Sequence, residues 1–209
     1  MPLVLGGAPL QSARMMALLV HGRDQDETAM LDVATRLRLG DVAYVLPLAP
    51  GRSWYPGRYF DPPAVNQPWL ERALDACDSA IARAHRAGMP DERIVVAGFS
   101  QGACVIAELV ARRARRWAGA AILTGTLLGP AEEWVRPADV AGLPMFLCAS
   151  RDDDWIALDD ALATARAFGA AGASVTFDTY EDRAHHINDR AIEGLRRLLR
   201  HVKSAPSVE

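Results

Sequence analysis

The chain contains no apolar run of the roughly 18 residues that a membrane-spanning helix needs, so no transmembrane segment is expected. Its first twenty residues lack a charged start, a long apolar core and a small-residue cleavage site, and a cytoplasmic protein is the expectation. Cysteine is scarce. Cys77, Cys104 and Cys148 sit inside apolar segments with no C-x-x-C spacing or paired framework, which argues for reduced core thiols rather than a disulfide scaffold. Neither sign of charge dominates: 23 Lys and Arg face 26 Asp and Glu, a net charge of −3 that gives no general attraction for nucleic acid or anionic membranes. The one basic cluster, Arg112, Arg113, Arg115 and Arg116, reads as a solvated helix end whose cations complement the helix dipole. No histidines show H-x-x-x-H spacing and the Asp152 to Asp154 run is explained without a cation, so neither metal nor cofactor is expected. Repeats and low-complexity linkers are also missing.

What the chain does have is enough apolar material, half of its 209 residues, for one substantial core, and residues 1–209 read as one domain with a frayed tail from 204. Continuous apolar runs of strand length recur at Met16–Val20, Val42–Leu46, Arg93–Ala97, Gly119–Thr124, Pro144–Ala149 and Ser174–Tyr180. Runs without alternation suit strands covered on both faces. Between them lie helical patterns: Leu70, Ala73, Leu74, Cys77, Ile81 and Ala84 repeat at three- and four-residue steps, with Gly88 and Pro90 marking the stop. A closing amphipathic helix is expected from Asn188 to Val202. Alternation of strand and helix predicts an α/β architecture with a mostly parallel sheet and helices on both faces.

In such a sheet, sites form at the carboxyl ends of the strands. The loop leaving the third of these runs carries Gly98-Phe99-Ser100-Gln101-Gly102, a G-x-S-x-G pattern directly after Ile94-Val95-Val96-Ala97. A sharp strand-to-helix turn holds a serine hydroxyl clear of the sheet, and glycines flank it because side chains would clash. Chance alone supplies the pattern in roughly one such chain in fifteen, so its weight comes from the strand before it and the apolar helix, Ala103 to Val110, after it.

A serine is a weak nucleophile at neutral pH and needs an imidazole to take its proton and a carboxylate to orient the imidazole. Two later loops offer these groups: Asp152, Asp153 and Asp154 after one strand, and His185 and His186 after another. Taken alone, each residue type is commonly a turn, a cap or a helix start, and within each cluster spacing does not choose. Donors are also needed for the oxyanion of an acyl-transfer intermediate, where losing one costs about 3 to 4 kcal/mol. The N–H of Gln101, after the serine, and that of Arg23, after His21-Gly22, are the candidates. His21 is read as shaping this loop rather than as a rival base.

The combination LLVHGR, PLAPGRSWYP, GFSQGA, SRDDDWIA and HHIN resembles the phospholipase/carboxylesterase family of α/β-hydrolases over nearly the whole chain. The resemblance implies a compact α/β-hydrolase without a large cap domain. It places the catalytic aspartate at Asp153, with Ala157 where the family commonly has proline, and the histidine at His185, giving a triad of Ser100, Asp153 and His185. Two departures stand out. Asp24 replaces a glycine the family often has there, and Glu181-Asp182-Arg183 replaces a Pro-Gly-rich approach to the histidine.

The irregular stretch from Pro47 to about Asn66 is long enough to suggest a functional wall. Trp54, Tyr55, Tyr59 and Phe60 from this loop, with Leu127 and Trp155, are the candidate substrate-binding residues; the alternative for the loop aromatics is anchoring the loop itself. The expected activity is a serine carboxylesterase acting on short-to-medium acyl or aryl esters. Thioesterase or lysophospholipase activity is the alternative within the same chemistry, a non-catalytic binding protein the alternative outside it, and a dienelactone-type hydrolase is disfavoured by serine at the elbow. The partner is a small-molecule ester. The residues do not set an oligomeric state; dimers are the commonest assembly, and the resemblance is compatible with a homodimer, since several members of that family form them.

Overall fold

The computed structural model of the chain describes residues 2–137 and 140–204. Among these, seven strands form one sheet: β1 (Leu3–Gly7), β2 (Met15–Val20), β3 (Val42–Pro47), β4 (Ile94–Phe99), β5 (Gly119–Leu123), β6 (Pro144–Ser150) and β7 (Ser174–Tyr180). Their order is β1-β3-β2-β4-β5-β6-β7, and every pairing is parallel except β1 against β3.

The unbroken apolar runs follow from burial on both sides. Along β2, Met16, Leu18 and Val20 enter the core covered by α3 (Trp69–Arg86), α4 (Gln101–Arg112) and α5 (Leu158–Ala170). Met15, Ala17 and Leu19 point the other way, into the core covered by α1 (Glu27–Leu37) and α6 (Asp189–Ser204). With a side-chain period of two, a central strand has no solvent face on which to place polar residues. The helix predicted from Leu70 onward is α3, and all six residues of its predicted stripe are buried. β1 escaped the sequence reading because it is a five-residue, partly exposed edge strand ending in Gly6-Gly7, with little of the apolar pattern that marks the central strands.

Of the basic cluster, Arg116 is exposed as expected, but Arg112, Arg113 and Arg115 are paired rather than solvated. Arg113 pairs with Glu71 and with Asp78 at 3.1 Å, and Arg115 pairs with Asp78 at 2.9 Å, so these cations tie the end of α4 and the segment after it to α3. Arg112 bonds at 2.5 Å to Glu108, a buried carboxylate that also accepts the N–H of Leu128. Of the expected tail, Ser204 ends α6, and 205–209 lie outside the described residues. No described helix is long and apolar enough to cross a membrane. The three cysteines are buried free thiols, and burial pushes Cys104 up to about 11 and Cys148 to about 12, which leaves them un-ionised.

The stretch from Pro47 to Asn66 is less irregular than expected. It holds a 3-10 turn at Pro50–Arg52 and the short helix α2 (Pro63–Asn66). Fully buried Asn66 braces it, accepting the N–H of Gly57 at 2.9 Å and donating to the carbonyl of Arg58 at 3.1 Å.

Candidate active site

The turn between β4 and α4 is tight enough to dictate its glycines. A Cβ on Gly98 would lie 2.3 Å from the carbonyl oxygen of Gly102, and one on Gly102 would lie 2.2 Å from that of Val20. Backbone against backbone leaves nothing to yield, so glycine is required by close approach rather than by a left-handed φ. The left-handed φ falls instead on Ser100, at 52°, a conformation that costs a non-glycine residue about 1 to 3 kcal/mol. Its N–H donates to Leu123 at 3.0 Å and its carbonyl accepts the N–H of Cys104 at 3.0 Å. Both neighbours thus hold the turn, and the hydroxyl projects beyond the strand ends.

There Ser100 Oγ lies 2.7 Å from His185 Nε2, and His185 Nδ1 lies 2.8 Å from Asp153 Oδ2. Asp153 is engaged on both oxygens, since Oδ1 accepts the N–H groups of Trp155 at 2.8 Å and Ile156 at 2.9 Å. Burial alone would raise its pKa, but the hydrogen bonds from His185, Ile156 and Trp155 outweigh it, and the carboxyl is held below the usual carboxylate range. The His185 ring also packs near Phe99 and Trp155, with centroids 5.0 and 6.0 Å away. His186 faces elsewhere: its Nδ1 meets the carbonyl of Ala184 and its Nε2 lies 3.5 Å from Asp182. None of Asp152, Asp153 and Asp154 caps α5, whose first turn carries its own Asp159 and Asp160 and no side-chain cap.

Ser150, a residue the sequence reading passed over, joins the two loops that carry this pair. Buried at the end of β6, its Oγ accepts the N–H of Asp182 at 3.1 Å and donates back to that residue's carbonyl. A single serine in a strand end carries no pattern that would have revealed this. Ser150 therefore holds the charged Glu181-Asp182-Arg183 segment by the backbone of Asp182, whose side chain accepts the N–H of Ala184 at 3.0 Å. Ala157, in the position of the family's proline, has a φ of −63° that proline would share, while its N–H contacts the Tyr59 hydroxyl at 3.4 Å.

The loop after β2 keeps its turn despite lacking glycine at 24. Asp24 adopts φ 62°, with its N–H bonded to Arg52 at 2.8 Å, and aspartate is among the residues that tolerate this region. Neither the N–H of Arg23 nor that of Gln101 donates to an acceptor in the described chain.

His21 is a structural residue. Its Nε2 accepts the N–H of Ala49 at 3.1 Å, which puts the ring proton on Nδ1, where it donates to Gly22 at 2.7 Å. Burial lowers its pKa, so the native ring is neutral. Below the ordinary histidine value of about 6.5 the unfolded chain takes up a proton that the native chain refuses. Stability from this group is therefore fully present above that value and lost as the pH falls through the lowered native value. Melting temperatures from pH 7.5 to 5 are expected to fall on the acid side, with a shallower slope in His21→Gln.

A cavity of about 260 Å³ opens over Ser100, lined by Tyr55, Tyr59, Phe60, Cys104, Trp155 and Ile156, with Arg23, Asp24 and Arg58 at its edge. Phe60 and Trp155 are 52 % and 66 % exposed, so they form a rim, whereas Tyr55 is buried against the wall. Tyr59 is held by its hydroxyl donating to Asp160 at 2.8 Å. Two expected lining residues are not there. Trp54 is buried beneath the loop, donating from Nε1 to the carbonyl of His21 at 2.8 Å and packing 5.0 Å from its ring, so it anchors the loop. Leu127 is buried and lines a separate hollow with Trp134 and Ala167. Among the described residues no group of three or more His, Cys, Asp or Glu is placed to hold a metal ion.

The sheet order, the strand-to-helix serine turn and the convergence of five strand-end loops on one cavity define an α/β-hydrolase fold. The phospholipase/carboxylesterase family profile matches residues 8–203, and the chain belongs to that family. Among solved structures it is similar to a phospholipase/carboxylesterase from Dyadobacter fermentans, at 28% identity and a TM-score of 0.86, over 94% of this chain and 95% of that one. The Bacillus cereus carboxylesterase is similar in fold, at 19% identity and a TM-score of 0.76, over 96% of this chain and 93% of that one. So is Arabidopsis thaliana SOBER1, at 18% identity and 0.77, over 91% and 99%. No curated protein matches.

Proposed function

We propose that the chain is a serine carboxylesterase that hydrolyses short acyl or single-ring aryl esters through an acyl-enzyme. The observation that carries this reading is the hydrogen-bonded line from Ser100 Oγ to His185 Nε2 at 2.7 Å and from His185 Nδ1 to Asp153 at 2.8 Å. In this mechanism Ser100 Oγ attacks the ester carbonyl while His185 Nε2 takes its proton. The tetrahedral oxyanion accepts hydrogen bonds from the N–H groups of Arg23 and Gln101. His185 returns the proton to the departing alkoxide, then draws one from water as it attacks the acyl-Ser100 ester, and gives that proton to the departing Ser100 Oγ as the carboxylic acid leaves. Asp153 holds the His185 proton on Nδ1 and stabilises the imidazolium.

The choice of a short acyl group rests on volume. A cavity of about 260 Å³ is at or below the lower end of the usual range for ligand sites, about 300 to 1,000 Å³, and its aromatic walls favour an apolar or planar group. A series of nitrophenyl esters, set against a lysophospholipid and an acyl thioester, tests it. The expected kcat/KM is highest for acetate to hexanoate and falls for longer chains; a preference for the long-chain lipid would overturn the short-ester reading.

A further inference from the structure

The two amides proposed as oxyanion donors come from different loops, Arg23 after β2 and Gln101 after β4, and an oxyanion hole works only if their spacing is right. Gly102 packs against the carbonyls of Val20 and His21, which ties α4 to the end of β2. Arg23, however, lies beyond that contact, in the turn before left-handed Asp24. A second link is made by the side chains of these same two residues, which both bond one short strap, 53–57. Gln101 accepts the N–H of Trp54 at 2.9 Å and donates from Nε2 to the carbonyl of Tyr55 at 2.8 Å. Arg23 donates from Nη2 to the carbonyls of Tyr55 at 3.0 Å and Gly57 at 2.5 Å, and from Nη1 to that of Pro56 at 3.1 Å. The Tyr55 carbonyl is shared by both.

We propose that the Arg23 guanidinium is a positioning residue: by binding three consecutive carbonyls of the strap that Gln101 also holds, it sets the separation of the two backbone N–H donors. This rests on Ser100 being the nucleophile of an ester hydrolase. The chemistry suits arginine specifically. A planar guanidinium offers five N–H donors in a fixed fork and reaches several carbonyls at once, whereas a lysine ammonium on a flexible stem does not hold them in one plane. Among the described residues no carboxylate lies within ion-pair distance of Arg23, and its guanidinium is engaged by these three carbonyls.

The test compares the full chain with Arg23→Ala and Arg23→Lys in three measurements: the rate of Ser100 labelling by a fluorophosphonate, kcat and KM for nitrophenyl acetate, and inhibition by phenylboronic acid, which becomes a tetrahedral anion on the serine. Removing an oxyanion donor outright costs about 10² to 10³ in kcat, so displacing one is expected to slow labelling and turnover by about 10- to 100-fold. KM is expected to move by less than about threefold, with boronate inhibition weakening in step with kcat. Arg23→Lys is expected to show a smaller loss in the same pattern, and it carries the test should the alanine variant fail to fold. A strap that merely loosened would disturb the Tyr55 wall and raise KM, and a raised KM with unchanged kcat would overturn the proposal. Full-rate labelling and turnover in both variants would also overturn it. If the parent chain is labelled at a residue other than Ser100, or not at all, the esterase reading itself fails and the proposal with it.

Discussion

Replacing Ser100 with alanine is expected to lower ester hydrolysis on the order of 10⁶-fold, about 8 kcal/mol of transition-state stabilisation, while the chain stays folded. The size follows from covalent catalysis. In the mechanism proposed above, loss of Oγ removes the acyl-enzyme and the proton His185 would take, and leaves only ester binding and the proposed oxyanion amides to accelerate direct attack by water. Folding survives because the turn is held by the backbone bonds of Ser100 to Leu123 and Cys104 and by the close approach of Gly98 and Gly102, none of which involves the hydroxyl. The φ of 52° adds an internal control. Ser100→Gly removes the same nucleophile but suits a left-handed position, so it is expected to melt no lower than Ser100→Ala although glycine gives the unfolded chain more freedom. Steady-state hydrolysis and thermal melts of the two variants check this. Hydrolysis by either within tenfold of the parent would remove Ser100 from the mechanism.

Asp153→Asn is expected to cost about 10⁴ in kcat. The amide preserves the shape of the side chain and, with its oxygen kept toward the loop, still accepts the N–H groups of Trp155 and Ile156. Its NH₂ group then faces His185 Nδ1 as a donor, which draws the ring proton to Nε2, and a protonated Nε2 is no base toward Ser100. The same substitution has a second signature in stability. Because the native pKa of Asp153 lies below its unfolded value, its contribution is present above the ordinary carboxylate pKa and disappears as the pH falls through the native value. Melting temperatures of the parent are thus expected to drop in strong acid by more than those of Asp153→Asn. An asparagine variant with near-parental kcat would mean that another group orients His185.

The elements differ in how far local pattern reveals them. β2 to β6 announce themselves as continuous apolar runs because a strand buried on both faces must be apolar at every position, and that condition is written in adjacent residues. β1 does not, because one antiparallel neighbour and partial exposure demand little of Leu3–Gly7. The elbow is legible for a similar reason: the geometry that exposes Ser100 needs glycine at fixed offsets on both sides, and the chain obeys. By contrast, an aromatic residue in a loop has no local mark of where it points. Trp54 and Tyr55 are neighbours, yet one anchors the loop against His21 and the other lines the cavity. Arg113 and Arg115 look solvated in the sequence because their partners, Glu71 and Asp78, lie about forty residues earlier in the chain.

By itself, then, the sequence determined the α/β architecture, the serine at a strand end and the residue types that accompany it, since each of these is enforced by short-range sterics or by two-sided burial. Tertiary structure decided which of two adjacent histidines faces Ser100, which aromatics surround the cavity, and how Arg23 and Gln101 come to share the Tyr55 carbonyl. Those outcomes depend on the relative placement of loops from β2, β3, β4, β6 and β7, and that placement is set by the order and twist of the whole sheet rather than by any residue's neighbours in the chain.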